Sequence, residues 1–249
     1  MIGSVLSMYN NEFQEYVVDI LTATIAQCKE KSISRELFLS YGSNHALKRG
    51  LITHYASIYK YENDFKNLWQ NSQIKFCEPI LMTENVYSIV EEAKKNYNGS
   101  YAKYKEKHKK DEANLIYWEH ITPNEIVWQR VVDVFDDYTN NSFTYDELRT
   151  KIKDCFYGHR LLLITKAEQI KLDKNGGRTG ERVNGIDDIN NIKSVNIAEK
   201  RIKLLFEQCG VDSLYFNGKR LEEKDLFDSD GNFINEVKEY FSECNFFIE

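Results

Sequence analysis

His159–Asp173, HRLLLITKAEQIKLD, is the stretch that decides how this chain is built. It fits a helix that turns into a strand, and it also fits one long strand, because a short continuous apolar run has no period of its own. A helix would complete a three-helix unit, whereas a long strand would put a sheet in the middle of the chain. The punctuation on either side is clearer. Upstream, ITPNEI (Ile121–Ile126) places Thr122 at an N-cap, Pro123 at the first helical position and Glu125 at the third, with Ile121 and Ile126 spaced as a hydrophobic staple. FTYDEL (Phe143–Leu148) repeats the arrangement with Thr144, Glu147, Phe143 and Leu148. The first helix carries Ile126, Val127, Val131, Phe135 and Tyr138; the second carries Leu148, Ile152, Cys155 and Phe156 and stops near Gly158. Downstream, KNGGRTGERVNG (Lys174–Gly185) is glycine-rich and basic, an exposed hairpin tip or loop.

Further out, three apolar stripes at helical spacing precede any strand signal. The first covers residues 11–30 through Phe13, Val17, Ile20, Leu21, Ile25 and Cys28, and the second covers residues 46–69 through Leu47, Leu51, Tyr55, Ile58, Tyr61, Phe65 and Leu68. After Pro79 a third runs from Asn85 into the lysine-rich YAKYKEKHKK (Tyr101–Lys110), with a kink or break expected at Asn98 and Gly99. In the last third a helix over residues 197–209 is capped by Asn196 and ended by Gly210. Asn217-Gly218 suits a tight hairpin, FINEVKEYF a short helix and CNFFIE a terminal strand. The expected fold is therefore mainly α with minor β (α+β). A helical region spans residues 1–118, a compact helical middle with a basic hairpin 119–185, and a small α+β part 186–249.

Composition is that of an ordinary globular protein, with 42% hydrophobic and 29% charged residues. Sixteen tyrosines and fourteen phenylalanines predict aromatic-rich cores and contact surfaces, through which a protein partner or a second copy of the chain would bind. Five widely spaced cysteines, none in a C-x-x-C pair, imply neither a disulfide framework nor a zinc site and suit a reducing cytoplasm. The start of the chain lacks a secretory pattern, and no window is long and apolar enough to span a membrane. A net charge of −6 argues against coating nucleic acid with the whole surface. The charge is nevertheless polarised: residues 94–110 hold seven lysines against Glu106 alone, a net +6 that leaves −12 on the rest.

The order helix, helix, glycine turn, helix and basic hairpin over residues 123–182 resembles a winged helix-turn-helix module. That resemblance implies a recognition helix opened by His159 and Arg160 and a wing lined by Lys171, Lys174, Arg178 and Arg182. Tyr101 and Tyr104 beside Lys103, Lys105 and Lys107 offer a second expected surface, with stacking rings next to phosphate-neutralising ammonium groups. The bland alternative is a solvated helix whose tyrosines form its core face. RGLITH resembles the active-site motif of HEPN ribonucleases, in which Arg49 and His54 would cleave RNA without a metal. On a regular helix, however, five steps leave the two side chains about 140° apart.

DSDGNF is no calcium loop, since aligning Gly231 with the invariant glycine puts Leu226 and Val237 where the first and last carboxylates belong. GGRTGER lacks the ending of a phosphate-binding P-loop, and Glu168 with Lys171 gives no complete metal-nuclease set. No cofactor or metal site is expected. The functional expectation is a non-catalytic adaptor or regulatory subunit that binds nucleic acid or a nucleic-acid-processing protein. A nuclease using Arg49 and His54, or an unrecognised carboxylate site, is the alternative.

Overall fold

The structure, a computed structural model, describes residues 2–44, 47–52, 81–111, 115–156, 158–159, 161–176, 197–216 and 219–234. His159–Asp173 follows neither expected order: a strand, β3 (Leu161–Thr165), comes first, and a helix, Lys166–Gly176, follows it. All five strand residues are buried. A central strand covered on both faces needs an unbroken apolar run and not alternation, which is why LLLIT hides its period. The switch to helix is made by a capping box. Thr165 Oγ1 accepts from the Glu168 N–H at 3.2 Å, and the Glu168 carboxylate accepts from the Thr165 N–H at 2.6 Å. The helix expected to open at His159 and Arg160 is therefore replaced by buried sheet.

Around β3 lies a five-stranded mixed sheet in the order β2-β3-β1-β4-β5. Its other strands are β1 (Leu81–Thr83), β2 (Ile116–His120), β4 (Leu214–Phe216) and β5 (Lys219–Leu221). β1 and β3 are parallel, with Leu81 opposite Leu162, and the other pairings are antiparallel. β4 and β5 pair antiparallel with Phe216 opposite Lys219, while Asn217 and Gly218 lie outside the described residues. The sheet takes strands from all three expected segments, and the boundary at residue 118 falls inside β2. Three residues of β1 are too few to show a period, so a helix-dominated reading passes over the strand that joins β3 to β4.

In chain order the helices among the described residues are α1 (Ile2–Glu30), α2 (Arg35–Asn44), α3 (Glu84–Asn96), α4 (Tyr101–Lys107), α5 (Asn124–Asn140), α6 (Tyr145–Cys155), α7 (Lys166–Gly176), α8 (Ile197–Cys209) and α9 (Glu223–Leu226). A π-helical turn occupies Lys48–Ile52. Apart from that turn and Leu47, the helix expected over residues 46–69 lies outside the described residues, as do the loop from residue 177, the cap at Asn196 and the chain from residue 235.

Side chains alternate across the sheet and build two cores. Leu81, Leu162, Ile164 and Leu214 pack with Leu172 of α7 and Ile202 and Leu205 of α8. Met82 and Leu163 pack on the other side with Val86, Ile89, Val90 and Ala93 of α3 and with Tyr101 and Tyr104 of α4. Each face thus carries its own pair of helices in a three-layer arrangement. A third core joins α1, α2, α5 and α6 through Val17, Leu21, Ile25, Phe38, Val131, Phe135, Leu148 and Ile152. Residues on both sides of the expected boundary at 118 share it.

The α6 start is as read from the sequence: Thr144 Oγ1 accepts from the Glu147 N–H at 3.2 Å, and Glu147 accepts from the Thr144 N–H at 2.7 Å. The α5 start is not. Its N-cap is Pro123, without a side-chain cap bond, and Thr122 is buried and lies outside the helix.

Candidate anionic-partner interface

The lysine segment is shaped by a break between two helices. α3 starts at Thr83, whose hydroxyl accepts from the Val86 N–H, and ends at Asn96. Asn98 and Gly99 then take φ values of 52° and 75°, with the Gly99 N–H closing onto the Ala93 carbonyl at 2.9 Å. The expected break therefore falls at these two residues. Ser100 caps α4 by accepting from the Lys103 N–H at 3.4 Å.

On α4 the tyrosines point inward. Tyr101 is 6% exposed and Tyr104 4%. The Tyr101 hydroxyl accepts the Ile116 N–H at 2.9 Å, which pins α4 to the start of β2. Burial raises the pKa of both phenols, offset in part at Tyr101 by that backbone donor and reinforced at Tyr104 by Glu92 and Asp111. Tyr104 meets Tyr101, Tyr97 and His108, the last stacked at 4.2 Å. The expected aromatic platform is thus core, because a seven-residue helix can stay seated on a sheet only by burying its own large rings.

The lysines remain outside. Lys103, Lys105 and Lys107 are exposed, and among the described residues no carboxylate comes within ion-pair distance of them. Lys94 pairs with Glu91 at 2.9 Å, and Lys109 lies 3.9 Å from Glu106 with both side chains more than 70% exposed. Solvent-screened contacts of this kind contribute little.

Of the other expected site residues, His159, Lys171 and Lys174 are described and do not join this surface. His159 is fully buried, its Nδ1 2.9 Å from the Thr122 carbonyl and its Nε2 2.8 Å from the Ile52 carbonyl, with its ring stacked on His120. It links three chain segments from within and has no route to a groove of DNA. Lys171 and Lys174 sit on α7, which packs on the opposite face of the sheet from α4, and the Lys171 ammonium donates to the Cys209 carbonyl at 3.0 Å, at the end of α8. Arg160, Arg178, Arg182 and His54, and the side chain of Arg49, lie outside the described residues.

Two buried carboxylates escape a reading by sequence motif. Glu119 on β2 pairs with Arg201 of α8 at 2.6 Å. Glu168 accepts from Thr83 Oγ1 at 2.9 Å and Asn85 Nδ2 at 2.8 Å besides the Thr165 N–H, and so ties the starts of α3 and α7 together at the ends of the parallel strands. Among the described residues no group of three or more His, Cys, Asp or Glu is placed to hold a metal. The DSDGNF loop closes on itself, with Asp228 accepting from the Asp230 and Asn232 N–H groups, and it borders an open groove of about 810 Å³ that includes Lys203, Phe206 and Phe227. Among the described residues the exposed large apolar side chains are Tyr16, Leu37, Tyr117, Tyr145 and Ile170, scattered over five elements. No described helix is long and apolar enough to cross a membrane.

No protein-family model, curated protein or solved structure matches the chain.

Proposed function

We propose that the protein is a non-catalytic adaptor or regulatory subunit that engages nucleic acid, alone or within a nucleic-acid-processing assembly, through the lysine-bearing edge of α4. The observation that carries this reading is the division of labour on that helix. Its rings are turned into the sheet core while Lys103, Lys105 and Lys107 stand in solvent without a carboxylate partner among the described residues. With the backbone of α4 already pinned, the ordering cost of meeting an anion is confined to the lysine side chains, and the local +6 of residues 94–110 offsets the net negative charge at short range. Work in a reducing compartment belongs to the same proposal, since Cys155 and Cys209 are buried thiols.

The test is retention of labelled nucleic acid by the full chain at low ionic strength. Reversing Lys103, Lys105 and Lys107 to Glu abolishes retention on this reading, whereas the same reversal at Lys171 and Lys174 leaves it intact. A wild-type chain that retains no nucleic acid at low salt ends the proposal.

A further inference from the structure

The partner's chemistry follows from what α4 withholds as much as from what it presents, and the argument rests on the nucleic-acid reading above. A single-strand binder needs ring faces open to bases. Here Tyr101 and Tyr104 are buried, and Tyr104 has Tyr101, Tyr97 and His108 around it. A base-reading surface needs forks such as arginine or amide groups facing outward. Residues 101–110 contain neither Arg, Asn nor Gln, only lysines, Glu106 and His108 as polar chain ends besides the two tyrosines. Stable anchoring to a membrane needs a second, apolar signal beside the charge, and the large apolar groups of α4 are turned inward. What is left is point charge.

Geometry sorts those charges. With about 100° of turn per residue, Lys103 and Lys107 share one flank of α4, Lys105 takes the other, and the buried tyrosines lie between them. Glu106 stands on the far side from the tyrosines, where a helix entering a groove would have to place its contact residue. Lys103 and Lys107 are about 6 Å apart along the axis, close to the axial rise of two phosphates on one strand.

We infer that α4 lies along the sugar–phosphate backbone of duplex nucleic acid and binds it without reading bases.

The experiment measures affinity of the full chain for two duplexes of unrelated sequence, an oligothymidylate single strand and vesicles containing phosphatidylserine, across about 50 to 200 mM salt. Expected are equal affinities for the two duplexes and a salt slope that falls by about 1.8 in the double variant Lys103→Gln with Lys107→Gln, which empties one flank, and by less in Lys105→Gln. Wild type then loses about 12-fold more affinity than the double variant over that salt range. Replacing the same two lysines by Arg keeps the slope, which separates charge from a folding defect. A tenfold preference for one duplex, or for the single strand, overturns backbone-only binding while leaving the nucleic-acid reading standing. Binding to vesicles with none to any nucleic acid, or no binding at all, overturns both.

Discussion

Replacing Arg201 by Met leaves the carboxylate of Glu119 in the core without the guanidinium 2.6 Å away. Both side chains are nearly closed to water, at 4% and 6% exposure, so solvent cannot compensate the loss. Breaking a buried pair by removing one member costs about 3–5 kcal/mol, because the remaining charge keeps its desolvation penalty. The pair ties α8 to β2, the strand at one edge of the sheet, while leucines and isoleucines hold α8 to the middle. With a urea m-value of about 3 kcal/mol/M, the midpoint should fall by roughly 1–1.7 M.

The double variant Glu119→Leu with Arg201→Met is the control. It removes both charges at once and should return to within about 1 kcal/mol of the parent or exceed it. Circular dichroism and tryptophan fluorescence followed together would show whether one transition is being measured. Single variants that lose less than about 1 kcal/mol, or a double variant that loses the sum of the two, would refute the argument that loss of this ion pair is the source.

Acid sensitivity should originate between α1 and α6. Burial raises the Glu15 carboxyl, but hydrogen bonds and charge from Lys153 and Arg149 outweigh it and leave the pKa below the ordinary carboxylate value. A depressed folded-state pKa contributes stability above the unfolded value, near pH 4.3, that is lost as pH falls through the folded value. Glu15→Gln should therefore flatten the acid limb of a stability profile and change it little in alkali. Tyr101→Phe keeps the ring and removes the acceptor for the Ile116 N–H, so it should destabilise by about 1–3 kcal/mol while nucleic-acid retention is unchanged; a loss of retention in a folded variant would restore the stacking role. Cys155 and Cys209, pushed up to about 12 and about 11 by burial, should resist a thiol reagent at pH 8 until the chain is unfolded, as read by peptide mass spectrometry.

Legibility in the sequence varied with how local the cause is. The α6 cap and the break at Asn98-Gly99 depend on residues within six positions of one another, and they are readable. Thr165-x-x-Glu168 has the same form as Thr144-x-x-Glu147, yet the apolar run before it fits helix and strand alike and masks the signal. Strand β3 is unreadable by period because both of its faces are covered, a property of the elements around it and not of LLLIT itself. Tyr101 and Tyr104, three residues apart, plainly share one side of a helix. Whether that side meets water or a sheet depends on Met82 and Leu163, which are distant in sequence. His159 was misplaced for a related reason: its two carbonyl partners lie 37 and 107 residues away.

Counting positive charges overstates a binding surface whenever helix ends can absorb them. Lys171 illustrates one fate, with its ammonium at the Cys209 carbonyl where α8 leaves an acceptor unsatisfied and the helix dipole is negative. Lys29 does the same for the end of α5, donating to the carbonyls of Tyr138 and Asn141 at 2.7 and 2.6 Å. Arg149 and Lys153 are taken up by Glu15 and Asp19 across the α1–α6 contact. Each of these cations is already matched inside the fold, so an external anion would have to displace an intramolecular partner. Lys103, Lys105 and Lys107 differ because no carboxylate among the described residues lies within ion-pair distance of them, and the one acid among them, Glu106, projects away from the flanks they occupy. It is this lack of an internal acceptor, more than the number of lysines, that makes the α4 edge the place where an anionic partner meets least competition.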